Sequence, residues 1–574
     1  MEKKKITLNN WWDKLGKPQY GGELAIRTTK NIANWDPYFA ELLPQIYTAW
    51  MEKLTGEDWT LDPAIFDYKI VTPSEYMKGH LAESWEFTEP GTVVFHLRKG
   101  IHWQDKPPVN GREFTAEDVA YHYNRLYGLG SGFAKPAPFH AKITMFKELI
   151  SVNAKDKYTV VFKWKTPNRE FITEALIAYY SPTGAIEARE AVEKWGDLND
   201  WHHAIGTGPF ILEDFISGKS ATLIKNPNYW GYDERYTQNK LPYIDKFKIV
   251  VIPDDDSALE AMRNRKIDIM DEVSYKQAKA IQKTNPEILQ ISIPTGTTCT
   301  IDPRNDKAPF NDIRVRKAMQ MSIDLPAIAR TYYKGTVDPY PSSLTSAYLK
   351  GWGFPYADWP QDLKDEYGYN PTVAKKLLAD AGYPKGFKTN IVADAMWDLD
   401  MLPLIKSYFA DVGIDMEIRI MDTGAWNDFV RVGRKHDQLA YGAGTLGRTH
   451  VPMMQLHRFQ TGDLISNSLM VNDPIFDSFY SRAMEATNTD EVKLILKDAN
   501  EHVARQHYAI SLLTPKTFDL CQPWVRGYNG QFGSTCGHMG SPQRLFFFPA
   551  RFWIDRRVEN KYKTNAVPEA RISR

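Results

Sequence analysis

Between Asn370 and Gly444 the chain alternates helix-like and strand-like segments without a break, and this run constrains the fold more than any other part of it. Asn370 is placed to cap a helix with Pro371 at its first position. Ala374, Leu377, Leu378 and Ala381 recur at helical spacing, and Gly382 with Pro384 ends the helix. A strand (389–395), a helix (399–412, with Leu402, Ile405, Phe409 and Val412 inward), a strand (414–422), a helix (425–435) and a strand (438–444) follow. A βαβαβ order predicts a parallel sheet with helices on its faces, because parallel neighbours need a long crossover between them.

In open α/β sheets ligands sit beyond the carboxyl ends of the strands, where helix N-termini also point. Those ends are Asp394–Ala395, Asp422–Thr423 and Gly444–Thr445, with Trp397 and Trp426 only a few residues past the first two. A crevice with a polar and aromatic rim is therefore expected here. The competing reading is that the two tryptophans pack in the core or a lid.

The rest of the chain is patterned in the same way. Val93, Phe95 and Leu97 alternate with Val94, His96 and Arg98 as in a strand, and Thr115 begins a helix that places Val119, Tyr123 and Leu126 on one face. Between 205 and 270 the sequence predicts a hairpin turning near Gly218, then a βαβ unit with strands 246–252 and 266–270 around a helix that starts after Asp254–Asp256. At 574 residues the chain is too long for one core, and three or four domains or subdomains are expected. Its 71 basic and 71 acidic residues leave no field that draws nucleic acid or anionic lipid, and no apolar run approaches the ~18–20 residues of a membrane span. No export signal is visible, because polar residues follow the basic start where an apolar stretch belongs.

Several chemistries are absent as motifs. The Gly-Lys-Ser of 218–220 has Glu213 where a phosphate-binding loop needs glycine. The pairs His202–His203, His450 with His457, and His502 with His507 lack same-face spacing backed by acid or cysteine, so no metal site and no cofactor is expected. Cys299, Cys521 and Cys536 form no scaffold. Small buried thiols are the simpler reading, and a Cys521–Cys536 bridge in an oxidising compartment is the alternative.

The chain resembles the family 5 extracellular solute-binding proteins of ABC importers from about Gly21 to Trp553. The matching stretches include NWDPYFA (34–40), LAESWEF (81–87), FHLRKGIHWQD (95–105), FTAEDVAYHYNRL (114–126), GTGPFILEDF (206–215), PFNDIRVRKAMQMSID (309–324) and YGYNPTVAKKLLADAGYPKGF (367–387). The resemblance implies a two-lobed periplasmic-binding-protein fold, type II and cluster C. Lobe I would be 19–66, 201–292 and 512–557 with an inserted subdomain at 67–200, lobe II would be 293–511, and 1–18 and 558–574 would be flexible termini. It further implies an extracytoplasmic monomer that closes on a small solute, a peptide first and an oligosaccharide as the alternative, and that works with ABC permease subunits rather than as an enzyme. A crevice hydrolase on the same scaffold is the rival from another class. The expected ligand contacts are Asn34, Trp35, Thr297, Thr298, Trp397, Asp422, Trp426, Tyr441 and Thr445. Peptide receptors of the group pair an acid just after the third strand with the ligand's α-amino group. Here that stretch offers Arg448 and His450 but no acid until Asp463, so Asp422 or Asp394 would supply the charge, or the ligand lacks a free ammonium.

Overall fold

The computed structural model describes residues 10–564 apart from 30, 33–34, 40–48, 67–68, 70–73, 131, 139–140, 142–147, 174, 177–183, 295–298, 342–350, 396, 443–451, 464–465 and 531–547. Two α/β sheets dominate it. The first has seven strands in the order 289–294, 516–521, 269–273, 23–28, 246–251, 220–225, 210–216. Glu23–Thr28 runs parallel to both of its neighbours, while the outer pairs are antiparallel.

Local chemistry explains the elements of this sheet. The Asp254 carboxylate accepts from the Ser257 amide at 2.7 Å, which starts the helix Asp255–Arg263 and buries Ala258, Leu259 and Met262. The hairpin turns at Gly218, whose φ of +71° needs no Cβ, between Phe210–Ile216 and Ser220–Lys225. The strand expected at 266–270 instead runs Ile269–Val273. Asp268 just before it has a different task, accepting from the Ala25 amide at 2.7 Å and the Trp524 indole at 2.8 Å.

The second sheet has five strands in the order 414–421, 387–394, 439–441, 300–303, 510–511. Phe387–Asp394 is parallel to Ile414–Met421 and to Leu439–Tyr441, which is the predicted βαβαβ arrangement. Asn370 Oδ1 accepts from the Val373 amide at 3.1 Å at the head of the helix Pro371–Asp380. Leu402, Ile405 and Phe409 of the helix Met401–Asp411 are buried against Ile391, Ile414 and Met416. The third helix begins two residues earlier than expected, at Thr423, because Asp422 caps it, and it widens into a π-helical turn over Asn427–Val432.

A four-stranded antiparallel sheet (Ala82–Glu89, Thr92–Leu97, Leu149–Asp156, Thr159–Trp164) packs with the helix Ala116–Tyr127, which a Thr115/Asp118 capping box opens. The chain passes between the two large sheets twice. Leu289–Pro294 leads to Thr300–Pro303, and Ile510–Ser511 leads back to Lys516–Cys521.

Parts of the ends expected to be flexible are folded. Trp11–Leu15 forms a 3-10 turn whose Trp12 and Gly16 carbonyls accept from the Tyr236 hydroxyl, and Arg556–Thr564 forms a helix whose Tyr562 carbonyl accepts from Arg265. Cys299 and Cys521 are buried free thiols, and Cys536 lies outside the described residues.

Candidate functional site

The carboxyl ends of the three parallel strands in the second sheet meet at one edge, and the structure brings several rim residues together there. The Thr423 hydroxyl donates to Asp394 Oδ1 at 2.7 Å, which ties the end of one strand to the start of the next helix. The Ala395 amide donates to the Met421 carbonyl at 2.8 Å, and the Trp397 amide to the Asp394 carbonyl at 3.2 Å. Gly442 closes the group. A Cβ built on it would stand 2.8 Å from both Asp394 Cβ and Trp397 Cδ1, and its φ of +102° also disfavours a side chain.

Tyr441 lies beneath this rim, 1% exposed. Its hydroxyl is 3.0 Å from the Asp398 carbonyl, to which it donates, and 3.6 Å from Cys299 Sγ. Cys299 is the first described residue after the first passage between sheets, so this hydroxyl links the rim to the inter-sheet connection. Burial pushes the Cys299 thiol up to about 12, which leaves it an inert protonated group at neutral pH. Burial also raises the Tyr441 phenol well above its ordinary value. Just beyond, Arg458 donates to Thr300 Oγ1 at 2.7 Å and to Asp302 Oδ1 at 2.9 Å, an ion pair shut away from water that anchors the strand on which the connection lands.

Asp398 stands exposed on this edge. The Tyr332 hydroxyl lies 2.7 and 2.8 Å from its two carboxylate oxygens.

The other expected contacts separate into three groups. Trp397 and Tyr441 belong to the cluster, the first partly exposed and the second just under it. Asp422 is exposed beside them, with one oxygen accepting the Ala425 amide at 3.0 Å. Trp426 and Trp35 do not present rings to the crevice. Trp426 is 0% exposed, packs with Val392, Val430 and Ala440, and donates its indole N–H to the Val392 carbonyl at 3.1 Å. Trp35 is 4% exposed, held between Trp50 and an edge-on Phe215. Both are corrections to the expectation of aromatic contact, because in each case the ring's apolar area is worth more inside than on a wet rim. Asn34, Thr297, Thr298 and Thr445 lie outside the described residues.

In the first sheet the parallel strands Glu23–Thr28 and Lys246–Val251 end side by side, with Thr28 opposite Val251. There Arg27, 7% exposed, donates to the Ile252 carbonyl at 2.9 Å and to Asp255 at 2.6 Å. Of the histidines considered as metal ligands, His202 pairs with Asp200, His457 with Asp463, His502 with Asp473 and His507 with Glu366, and His450 lies outside the described residues.

Two α/β sheets joined by a double passage make a mixed α/β, two-lobed binding-protein fold. The chain belongs to the bacterial extracellular solute-binding proteins, family 5, whose model matches residues 77–464. It is 26% identical over 466 residues to the heme-binding protein A of Haemophilus influenzae, covering 78% of this chain and 81% of that one. It is also 26% identical over 411 residues to the glutathione-binding protein GsiB of Escherichia coli, covering 70% of each. The fold matches the ABC transporter-associated periplasmic binding protein DppA of Helicobacter pylori, solved with the peptide STSA, at a TM-score of 0.71 and 21% identity, covering 94% of this chain and 99% of that one. The protein is therefore a non-catalytic substrate-binding component of an ABC importer. Among the described residues no helix is long and apolar enough to cross a membrane.

Proposed function

We propose that the protein captures a short peptide outside the cytoplasmic membrane, closes on it by a hinge, and delivers it as a monomer to the membrane permease subunits of its importer. The observation that carries this reading is the double passage, since two adjacent connections let the lobes rotate about one axis. In this reading one lobe is 19–66, 201–292 and 512–557 with the insertion 67–200, and the other is 293–511, the partition that the sequence resemblance implies.

Two of the named relatives support a peptidic ligand. The GsiB relative is named for glutathione, and the structural neighbour holds the peptide STSA. The burial of Trp35 and Trp426 supports the same choice, because it withdraws two of the flat aromatic faces that a sugar ring would stack on. The ligand would touch Trp397 and Asp422 on lobe II, with Tyr441 behind them.

Mass spectrometry of the purified protein under native and then denaturing conditions tests the reading. A set of released peptides is the expected result. Hexose-spaced masses, or released heme, would replace the ligand class while leaving the receptor in place.

A further inference from the structure

Residues of the insertion pack against both halves of the molecule. Its sheet shares an apolar cluster with Trp50 and Phe247 of the first lobe. Phe171 and Ile172, in the short helix Arg169–Thr173, are buried in the same cluster as Phe479, Ala483, Ile495 and Ala499 of the helices Pro474–Glu485 and Thr489–Gln506. Those two helices belong to the other lobe in the reading above, so the insertion bridges the lobes at a place that lies on neither connection of the double passage.

Two polar side chains cross with the apolar ones. The last carbonyls of a helix are short of donors. At the end of Pro474–Glu485 the Met484 carbonyl accepts from the Thr166 hydroxyl at 2.6 Å, and the Ala483 carbonyl accepts from the Asn168 side-chain amide. Asn168 is 0% exposed and uses both ends: its Oδ1 accepts from the Phe171 amide at 2.9 Å, which starts Arg169–Thr173, while its nitrogen makes the crossing. The bonds across the contact are neutral and end on backbone carbonyls, which water can serve once the surfaces part, so each adds a modest net energy. Inside the lobes the fastenings are of another kind. Arg125 with Asp36 and Arg458 with Asp302 are buried ion pairs, and parting either would strand a charge. The contact through Thr166 and Asn168 is therefore built to separate, and the lobes themselves are not.

We propose that Thr166 and Asn168, with the helix Arg169–Thr173, form a latch that biases the unliganded protein toward its closed form, so that ligand affinity is set in part by a contact between the lobes themselves. This rests on the two-lobed reading above. A ligand that binds the closed form gains apparent affinity in proportion to the closed fraction already present, and the latch raises that fraction.

The test uses the full chain, first without any ligand. Asn168→Asp keeps the oxygen that starts Arg169–Thr173 but replaces the donor with a negative charge facing the negative end of a helix, so it should open the latch and leave the insertion folded. Small-angle scattering is expected to give N168D a larger radius of gyration than the wild type, and hydrogen exchange at 168–173 should be faster in the variant. Thr166→Val, similar in shape but without the hydroxyl, should move both readings the same way by less, and Thr166→Ser should match the wild type. With a pool of synthetic dipeptides and tripeptides as the probe, N168D should bind about ten-fold more weakly than the wild type. Radius and exchange that stay at wild-type values in both N168D and T166V overturn the latch while the receptor reading stands. Expansion of N168D in a protein that binds none of the peptides supports the latch and counts against the peptide reading alone.

Discussion

Trp426 is a residue whose neighbours decide between two roles that sequence leaves open. Its position a few residues past a strand end suits a ligand contact, but its ring is fully enclosed and its N–H is already bonded to Val392. Trp426→Ala is therefore expected to destabilise the protein by about 3–5 kcal/mol, as large buried aromatics do when truncated. Chemical denaturation measures this, and a variant with unchanged stability and weakened ligand binding would return Trp426 to the rim. Gly442 has the opposite character. Its φ of +102° and the 2.8 Å approach to Asp394 and Trp397 mean that Gly442→Ala must push the Trp397 ring or bend the strand end. A loss of about 1–2 kcal/mol from the backbone conformation alone is expected, together with a shift in tryptophan fluorescence and weaker peptide capture. Asp398 escaped the sequence reading for a simple reason. One more acid in the loop after a strand is unremarkable until Tyr332 is seen to hold it, and nothing local to either residue announces that contact.

At the scale of elements, legibility followed locality. Asn370 with Pro371, Asp254 with its acidic first turn, and Gly218 at the hairpin each act within a few residues, and each forms the cap or turn that its chemistry predicts. What sequence could not display is the neighbourhood of Lys516–Cys521, which lies between two strands more than two hundred residues earlier in the chain. That placement has an electrostatic result. Asp519 in this central strand is 0% exposed, and burial, with the charge of Asp271 adding to it, pushes its carboxyl up to about 8 from 3.8. It accepts a hydrogen bond from the Tyr528 hydroxyl. Because the folded value is raised, the stability this group contributes is complete below the unfolded value of 3.8 and is lost as pH rises through about 8. Between those limits the folded state holds a proton that the unfolded state does not, so stability falls by about 1.4 kcal/mol per pH unit from this group. Asp519→Asn should flatten that slope and leave the variant more stable than the wild type near pH 8. Denaturant titrations across the pH series check it, and parallel curves for the two proteins would show that the carboxyl is ionised throughout.

At the scale of the whole molecule, the proposed function requires relative movement of the two lobes. A ligand that binds only the closed form shifts the population by its differential affinity, and at ~100 times its dissociation constant it should raise stability by ~2.7 kcal/mol. Small-angle scattering should show the radius of gyration decreasing on addition of the peptide released from the purified protein, whereas an unchanged radius with tight binding would mean that the lobes do not close. The double passage also bears on how the chain reaches this structure during synthesis. All five strands of the second sheet are made by Ser511, so that sheet is complete while the first is still missing a strand from its interior. Until Lys516–Cys521 emerges, Leu289–Pro294 has no partner on that side, and the larger sheet cannot close. Order of manufacture and order of assembly are thus reversed for the first lobe: it begins before the second and is finished after it, and the strand that completes it arrives from the ribosome only once the other half of the receptor can already be standing.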